Sequence, residues 1–193
     1  MESKKDTTKM LLGESLQALM LKYPFEKITI KMITDKAGVI RPTFYNYFQD
    51  KYELLEWIFT TNVIDKLKST LDAGMEKESL RLFFLLIDKD KAFYKKAIGI
   101  SGQNSFEEIM TRHIYDIFLA QISPHLMKKI SDIKLLTPNT LSLFYAKGIV
   151  DVIKTWLTFG NDGITADDVA DAYFFMLSHS ILDLIHASAY HEH

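Results

Sequence analysis

Six residues within one short stretch carry the side chains best suited to chemistry in this chain: Arg41, Pro42, Thr43, Tyr45, Asn46 and Tyr47. The chemistry they fit is recognition rather than bond-making. An arginine guanidinium can donate two parallel hydrogen bonds to guanine O6 and N7, a threonine can bond a phosphate or meet a thymine methyl, and tyrosine and asparagine supply hydroxyl and amide donors. Pro42 adds an apolar edge. Lys31 upstream and Lys51 downstream are placed to reach backbone phosphates, and Thr29 joins the same contacting set. A short helix that enters a major groove by its N-terminus needs small or polar residues early and phosphate-reaching flanks, as here.

Other spacings point to less. His179, Asp183 and His186 stand at i, i+4 and i+7 and could share a metal on one helical face, but such a stripe more often serves interface hydrogen bonds, and no metal site is expected. Gly99-Ile-Ser-Gly102 begins like a nucleophile elbow and fails, because Gln103 stands where glycine is required. No phosphate loop, dinucleotide fingerprint or HExxH is present. With no cysteine there is no disulfide, thiol nucleophile or thiolate metal site. No enzyme activity and no cofactor are expected. The chain beyond residue 77 is rich in aromatics, Phe83, Phe118 and Phe174 among them, which as a set can line an apolar pocket with a few hydroxyl handles. Arg112, Tyr115, Tyr145 and Trp156 are the candidate ligand contacts, Arg112 being one of only three arginines.

The elements that must position these residues follow from helical periodicity. Leu12, Leu16, Leu19, Met20 and Tyr23 form one apolar stripe, which predicts a helix over 4–23 stopped by Pro24. Thr29 is an N-cap for a second helix with Ile30, Ile33 and Ala37 inward, and Gly38 ends it. Pro42 suits the first position of a third helix, with Arg41 in the cap slot. At about 100° per residue, Phe44 and Phe48 share an inward face and leave Pro42, Thr43 and Asn46 opposite. Asp50 and Glu53 make a capping-box pattern that opens a helix over 51–72. Further helices are expected at 78–87, 89–98, 105–122, 138–159 and 165–188, with Gly160-Asn-Asp-Gly163 as a turn and the tail 190–193 frayed. No strand alternation appears, so the fold class is all-α.

The 193 residues carry a net charge of −2, unevenly spread. Residues 1–51 hold +3 and the remainder −5, a basic head on an acidic body, which suits a molecule touching phosphate with one end. No apolar run approaches the roughly 18 residues that span a bilayer, and the charged N-terminus is not that of a secretory signal. A cytoplasmic location without membrane association is the expectation.

At Phe25, Ile28, Thr29, Ile33, Ala37, Gly38, Val39, Thr43, Phe44, Tyr45, Tyr47, Phe48, Lys51 and Leu54 the chain resembles the TetR family of transcriptional regulators, over roughly residues 8–59. The run from Arg41 to Phe59 resembles more closely still the regulators of dihydroxyacetone kinase within that family, and the segment Phe144 to Gly160 is similar to their body helix. Ile40 departs from the family's small polar residue before the third helix, and Met32-Ile-Thr-Asp departs from its commoner pattern. The resemblance implies a helix-turn-helix headpiece over 1–50 and a ligand-binding and dimerisation body over 51–193. It implies a homodimer joined through the last two helices, and a double-stranded operator with pseudo-palindromic half-sites about one turn apart. It also implies an unidentified small-molecule ligand in the body and a link to dihydroxyacetone or glycerol metabolism. The rival reading is a TetR-like co-regulator that acts by protein–protein contact without sequence-specific DNA binding.

Overall fold

The computed structural model describes residues 4–126, 134–160, 163–182 and 185. Helix and turn account for the described residues, with no strand among them. Helix α1 (Lys4–Met20) buries Leu12, Leu16, Leu19 and Met20. It stops three residues before the expected end. The Leu19 carbonyl accepts from both Lys22 and Tyr23 amides, and Tyr23, the residue before Pro24, lies exposed. A single 3-10 turn over Phe25–Lys27 plugs the headpiece core with Phe25, and Ile28, just beyond it, is buried beside it.

Helix α2 (Ile30–Ala37) starts where the sequence asks. The Thr29 hydroxyl oxygen accepts from the Met32 amide at 3.2 Å. It ends at Gly38, whose φ of 68° is the left-handed conformation that disfavours any residue with a Cβ. Helix α3 (Arg41–Tyr45) follows after two residues. Its N-cap is Ile40, not Arg41, and Pro42 stands at the second helical position, where a missing amide hydrogen still breaks no intrahelical bond. Ile40 has no side-chain oxygen, so this helix begins without a side-chain cap.

Helix α4 (Lys51–Phe59) opens on Asp50, whose carboxylate accepts from the Tyr52 and Glu53 amides. The returning half of the box is displaced by one residue, with Glu53 accepting from the Gln49 amide. The expected continuous helix over 51–72 is interrupted. A π turn over Thr60–Ile64 separates α4 from α5 (Asp65–Asp72). The Thr60 hydroxyl donates to the Glu56 carbonyl at 2.9 Å, offering that acceptor an alternative partner where the ladder loosens.

The body comprises α6 (Glu76–Lys89), α7 (Lys91–Ala97), α8 (Phe106–Leu126), α9 (Pro138–Phe159) and α10 (Ala166–Ser178). Helix α8 lies along α9, α10 packs on α6, and α4 touches both α1 and α8, so one apolar core runs from headpiece to body. Gly13 allows α1 and α4 to approach closely: a Cβ there would stand 3.0 Å from the Trp57 ring. Helix α10 begins with a complete capping box between Thr165 and Asp168. It ends at Ser178, short of the expected 188. His179 is extended, and its ring stacks on Phe175 at 4.1 Å. The helical face that would have aligned His179 with Asp183 and His186 is therefore broken at its first member. Asp183, His186 and the tail 190–193 lie outside the described residues, as do Asn161 and Asp162 of the expected turn. Among the described residues no helix is long and apolar enough to cross a membrane.

Candidate nucleic-acid interface

Helix α3 is anchored from beneath. Phe44 and Phe48 are buried, with ring centroids 5.8 Å apart, and Phe48 also meets the Trp57 ring of α4 at 5.8 Å. Burial of each such ring is worth about 1.5–3 kcal/mol, which fixes the rotation of α3 about its axis. That rotation sends Arg41, Pro42, Tyr45 and Asn46 outward to solvent, with Thr43 and Tyr47 half-buried on the flanks. The Arg41 Nη2 donates to the Tyr45 hydroxyl at 3.1 Å, and its guanidinium lies 5.6 Å from the centre of the Tyr45 ring. The pair holds the arginine in one orientation on the outer face while the rest of its donor fork stays open.

Lys31 is exposed on α2 and pairs with Asp35 one turn on. An exposed pair of this kind is worth well under about 1 kcal/mol, so the ammonium can change partners when a phosphate arrives. Thr29 is exposed beside it, with its oxygen engaged in the cap. Lys51 departs from expectation. Its Nζ donates to the carbonyls of Phe25 at 2.7 Å and Ile28 at 2.9 Å, and reaches that of Glu26 at 3.3 Å. It also sits 4.5 Å from the centre of the Phe25 ring. Partial burial lowers its pKa from the ordinary lysine value, against the opposing pull of Glu26 and Asp50. Lys51 is thus a clamp on the turn between α1 and α2, and it is withdrawn from the phosphate-contacting set. Ile40, noted in the sequence as a departure from the family pattern but not among the expected contacts, is 69% exposed next to Arg41 and extends the apolar edge begun by Pro42.

A second constellation ties this headpiece to the body. Glu56 of α4 receives the Arg112 Nη2 at 2.7 Å on one oxygen and lies 2.7 Å from the His113 Nε2 on the other. His113 also lies 3.4 Å from the Thr60 hydroxyl and meets the Phe59 ring edge-on. Both partners come from α8, and both meet α4 one turn before the π turn. The four expected ligand contacts do not converge. Arg112 and Tyr115 line an open cleft between α8 and α9 of about 1020 Å³. Trp156 is 4% exposed, donates from Nε1 to the Ile164 carbonyl, and is wedged between Phe84 and the Lys91 ammonium, so it is a core residue. Tyr145 stands against Phe118 and Phe144, and its carbonyl accepts from the Tyr173 hydroxyl.

The comparisons decide the family. The family model described as bacterial regulatory proteins, tetR family, matches residues 17–58, and one described as transcriptional regulator C-terminal region matches residues 76–174. The chain belongs to the TetR family of bacterial transcriptional regulators. Members of this family are regulators and not enzymes. The HTH-type dhaKLM operon transcriptional activator DhaS of Lactococcus lactis subsp. lactis (strain IL1403) is 30% identical over 93 residues, which are 48% of this regulator and 50% of that protein. The chain thus matches about half the length of that relative. A solved structure of the dihydroxyacetone kinase operon activator DhaS superposes with a TM-score of 0.65 at 23% identity, covering 88% of this regulator and 93% of that chain. NalD, the secondary repressor of the MexAB-OprM multidrug efflux pump in Pseudomonas aeruginosa, superposes with a TM-score of 0.51 at 16% identity, covering 90% and 94%. Both structural likenesses concern the fold.

Proposed function

We propose that this regulator is a ligand-responsive homodimer that reads a pseudo-palindromic operator through α3, with Thr29, Lys31, Arg41, Pro42, Thr43, Tyr45, Asn46 and Tyr47 at the DNA. The observation that carries this reading is the outward face of α3, held by Phe44 and Phe48 and crowned by the Arg41–Tyr45 pair. Apolar side chains left exposed on α9 and α10, Phe144, Phe159, Phe175 and Met176 among them, support pairing of two copies through these helices. The headpiece over 1–50 packs against the rod formed by α4 and α5, with which the body over 51–193 begins. A change in the body thereby reaches the spacing of two headpieces through the Glu56 junction. The relatives' names support the operon of a dihydroxyacetone kinase as the target class, and a DNA target supports the cytoplasm as the place of action.

The test is titration of DNA from upstream of the chain's own gene or its neighbours, followed by fluorescence anisotropy. Binding is expected at least about a thousand-fold tighter than to random sequence, and to weaken steeply with salt. Arg41→Ala is expected to lose about 1–3 kcal/mol of discrimination at one base of each half-site. Equal affinity for operator and random DNA at low salt would remove the reading.

A further inference from the structure

Ile40 contributes little to the fold. It is 69% exposed, and it fills the N-cap of α3 at φ −83° and ψ 152° with a side chain that accepts no hydrogen bond. Helices α2, α4, α9 and α10 also start from extended N-caps, and in each a threonine or aspartate oxygen accepts from a backbone amide. Serine in the backbone geometry of Ile40 would give the Thr43 amide a second acceptor beside the Ile40 carbonyl, which it meets at 2.9 Å. Isoleucine is thus an unfavourable choice for starting α3, and local rules are broken in this way where a side chain serves binding. The surroundings say what it meets. Arg41, Pro42 and Tyr45 are exposed beside it. From Lys36 to Gln49 the chain has no acidic residue, while Lys36 and Arg41 are positive. An apolar spot set among cations fits an apolar group that is itself set among anions.

We propose that Ile40 is a specificity-determining residue, packing with Pro42 against the 5-methyl group of a thymine in each operator half-site. The inference rests on the DNA-reading function proposed above and adds a base to it. In the major groove the thymine methyl is the apolar feature that a base pair presents, so an exposed apolar side chain selects it. Register follows from chain geometry. Ile40 and Arg41 are consecutive. Their Cα atoms stand about 3.8 Å apart, close to the stacking distance of about 3.4 Å between bases. The thymine therefore belongs to a base pair next to the guanine that Arg41 reads. The Tyr45 hydroxyl and ring hold the Arg41 guanidinium on the outer face, and Ile40 stays uncovered.

Fluorescence anisotropy of the full chain on the operator fragment tests this, with thymines replaced by uracil one position at a time so that only the methyl group is lost. The wild type is expected to lose about four-fold in affinity at one thymine of each half-site, beside the guanine whose identity Arg41→Ala ceases to read. Ile40→Ser is expected to bind thymine and uracil operators equally, while its affinity for random DNA and its salt slope stay those of the wild type. Its Tm is expected to rise by about 2–4 °C, because serine caps α3. Ile40→Val, which keeps the branched carbon, is expected to retain the thymine preference. Three results would overturn the proposal: a wild type indifferent to uracil beside that guanine, a thymine preference that survives Ile40→Ser, or an Ile40→Ser chain that is less stable and loses operator and random DNA alike. Titration of the unmodified chain separates the two readings. Specific operator binding that is insensitive to uracil removes the role of Ile40 alone, whereas equal affinity for operator and random DNA removes the regulator reading and this inference with it.

Discussion

At the scale of single residues, charge and position decide between contact and support. Lys31 and Lys51 are both lysines of the headpiece flanking α3, yet one is exposed and the other is bonded to three carbonyls in and just beyond the 3-10 turn. Lys51→Met keeps the aliphatic stem but leaves carbonyls of Phe25, Glu26 and Ile28 without that donor. It is expected to lower stability by about 1–3 kcal/mol in urea denaturation, while Lys31→Ala leaves stability unchanged and instead lowers the salt slope of DNA binding by about one. Tyr94 shows the opposite case. Its ring is fully buried against Phe59, Phe93 and Phe106, and among the described residues its hydroxyl has no hydrogen-bond partner. Burial pushes that phenol well above its ordinary pKa, so it stays neutral. Tyr94→Phe removes an unsatisfied polar atom and keeps the ring, and it is expected to raise stability by up to about 1 kcal/mol, read as an upward shift of Tm.

At the scale of elements, the rod α4–α5 is the part on which both ends of the molecule act. It carries the headpiece packing through Leu54, Leu55 and Ile58, the junction through Glu56, and one wall of an apolar cavity among the body helices through Leu67 and Leu71. The junction is strongest as geometry and modest as energy. The Arg112 side chain is 57% exposed and that of Glu56 31%, so solvent screens much of their attraction. A double-mutant cycle of Glu56→Gln and Arg112→Ala is expected to give a coupling of about 0.5–1 kcal/mol in global stability. Hydrogen exchange of the α4 amides is expected to respond more strongly than Tm, because the pair holds one helix against another at a π turn. Indistinguishable exchange in the wild type and Glu56→Gln would show that the rod is held by apolar packing alone.

At the scale of the whole molecule, a single chain leaves apolar surface that a soluble domain usually covers. Phe144 is 69% exposed on α9, and Phe175 is 48% exposed on α10. A second copy meeting these helices would bury them about a two-fold axis, and would set the distance between two α3 helices to match half-sites. Phe144→Glu with Phe175→Glu is expected to shift sedimentation from dimer to monomer at micromolar concentration and to remove the concentration dependence of Tm. Specific operator binding is expected to fall with it, since each headpiece alone keeps only half of the contacts. A monomeric wild-type chain at that concentration would break the half-site arrangement.

Local chemistry alone made the helices legible. Thr29 and Gly38 bracket α2, Asp50 opens α4, Pro138 opens α9, and Thr165 with Asp168 opens α10, because a cap is a contact between residues three or four apart. The inward face of α3 was legible for the same reason, since Phe44 and Phe48 are one helical turn apart. What the chain alone did not determine are contacts between residues distant along it. The reach of Lys51 back to Phe25, the meeting of Glu56 with Arg112 and His113, and the burial of Trp156 behind Phe84 all depend on how helices cross. Periodicity reports which side of a helix is apolar and carries no information on which neighbour covers it. For that reason the outward face of α3 was readable from residue order, while the cavity lined by Leu67, Ser79 and Phe118 emerged only when five helices came together beside it.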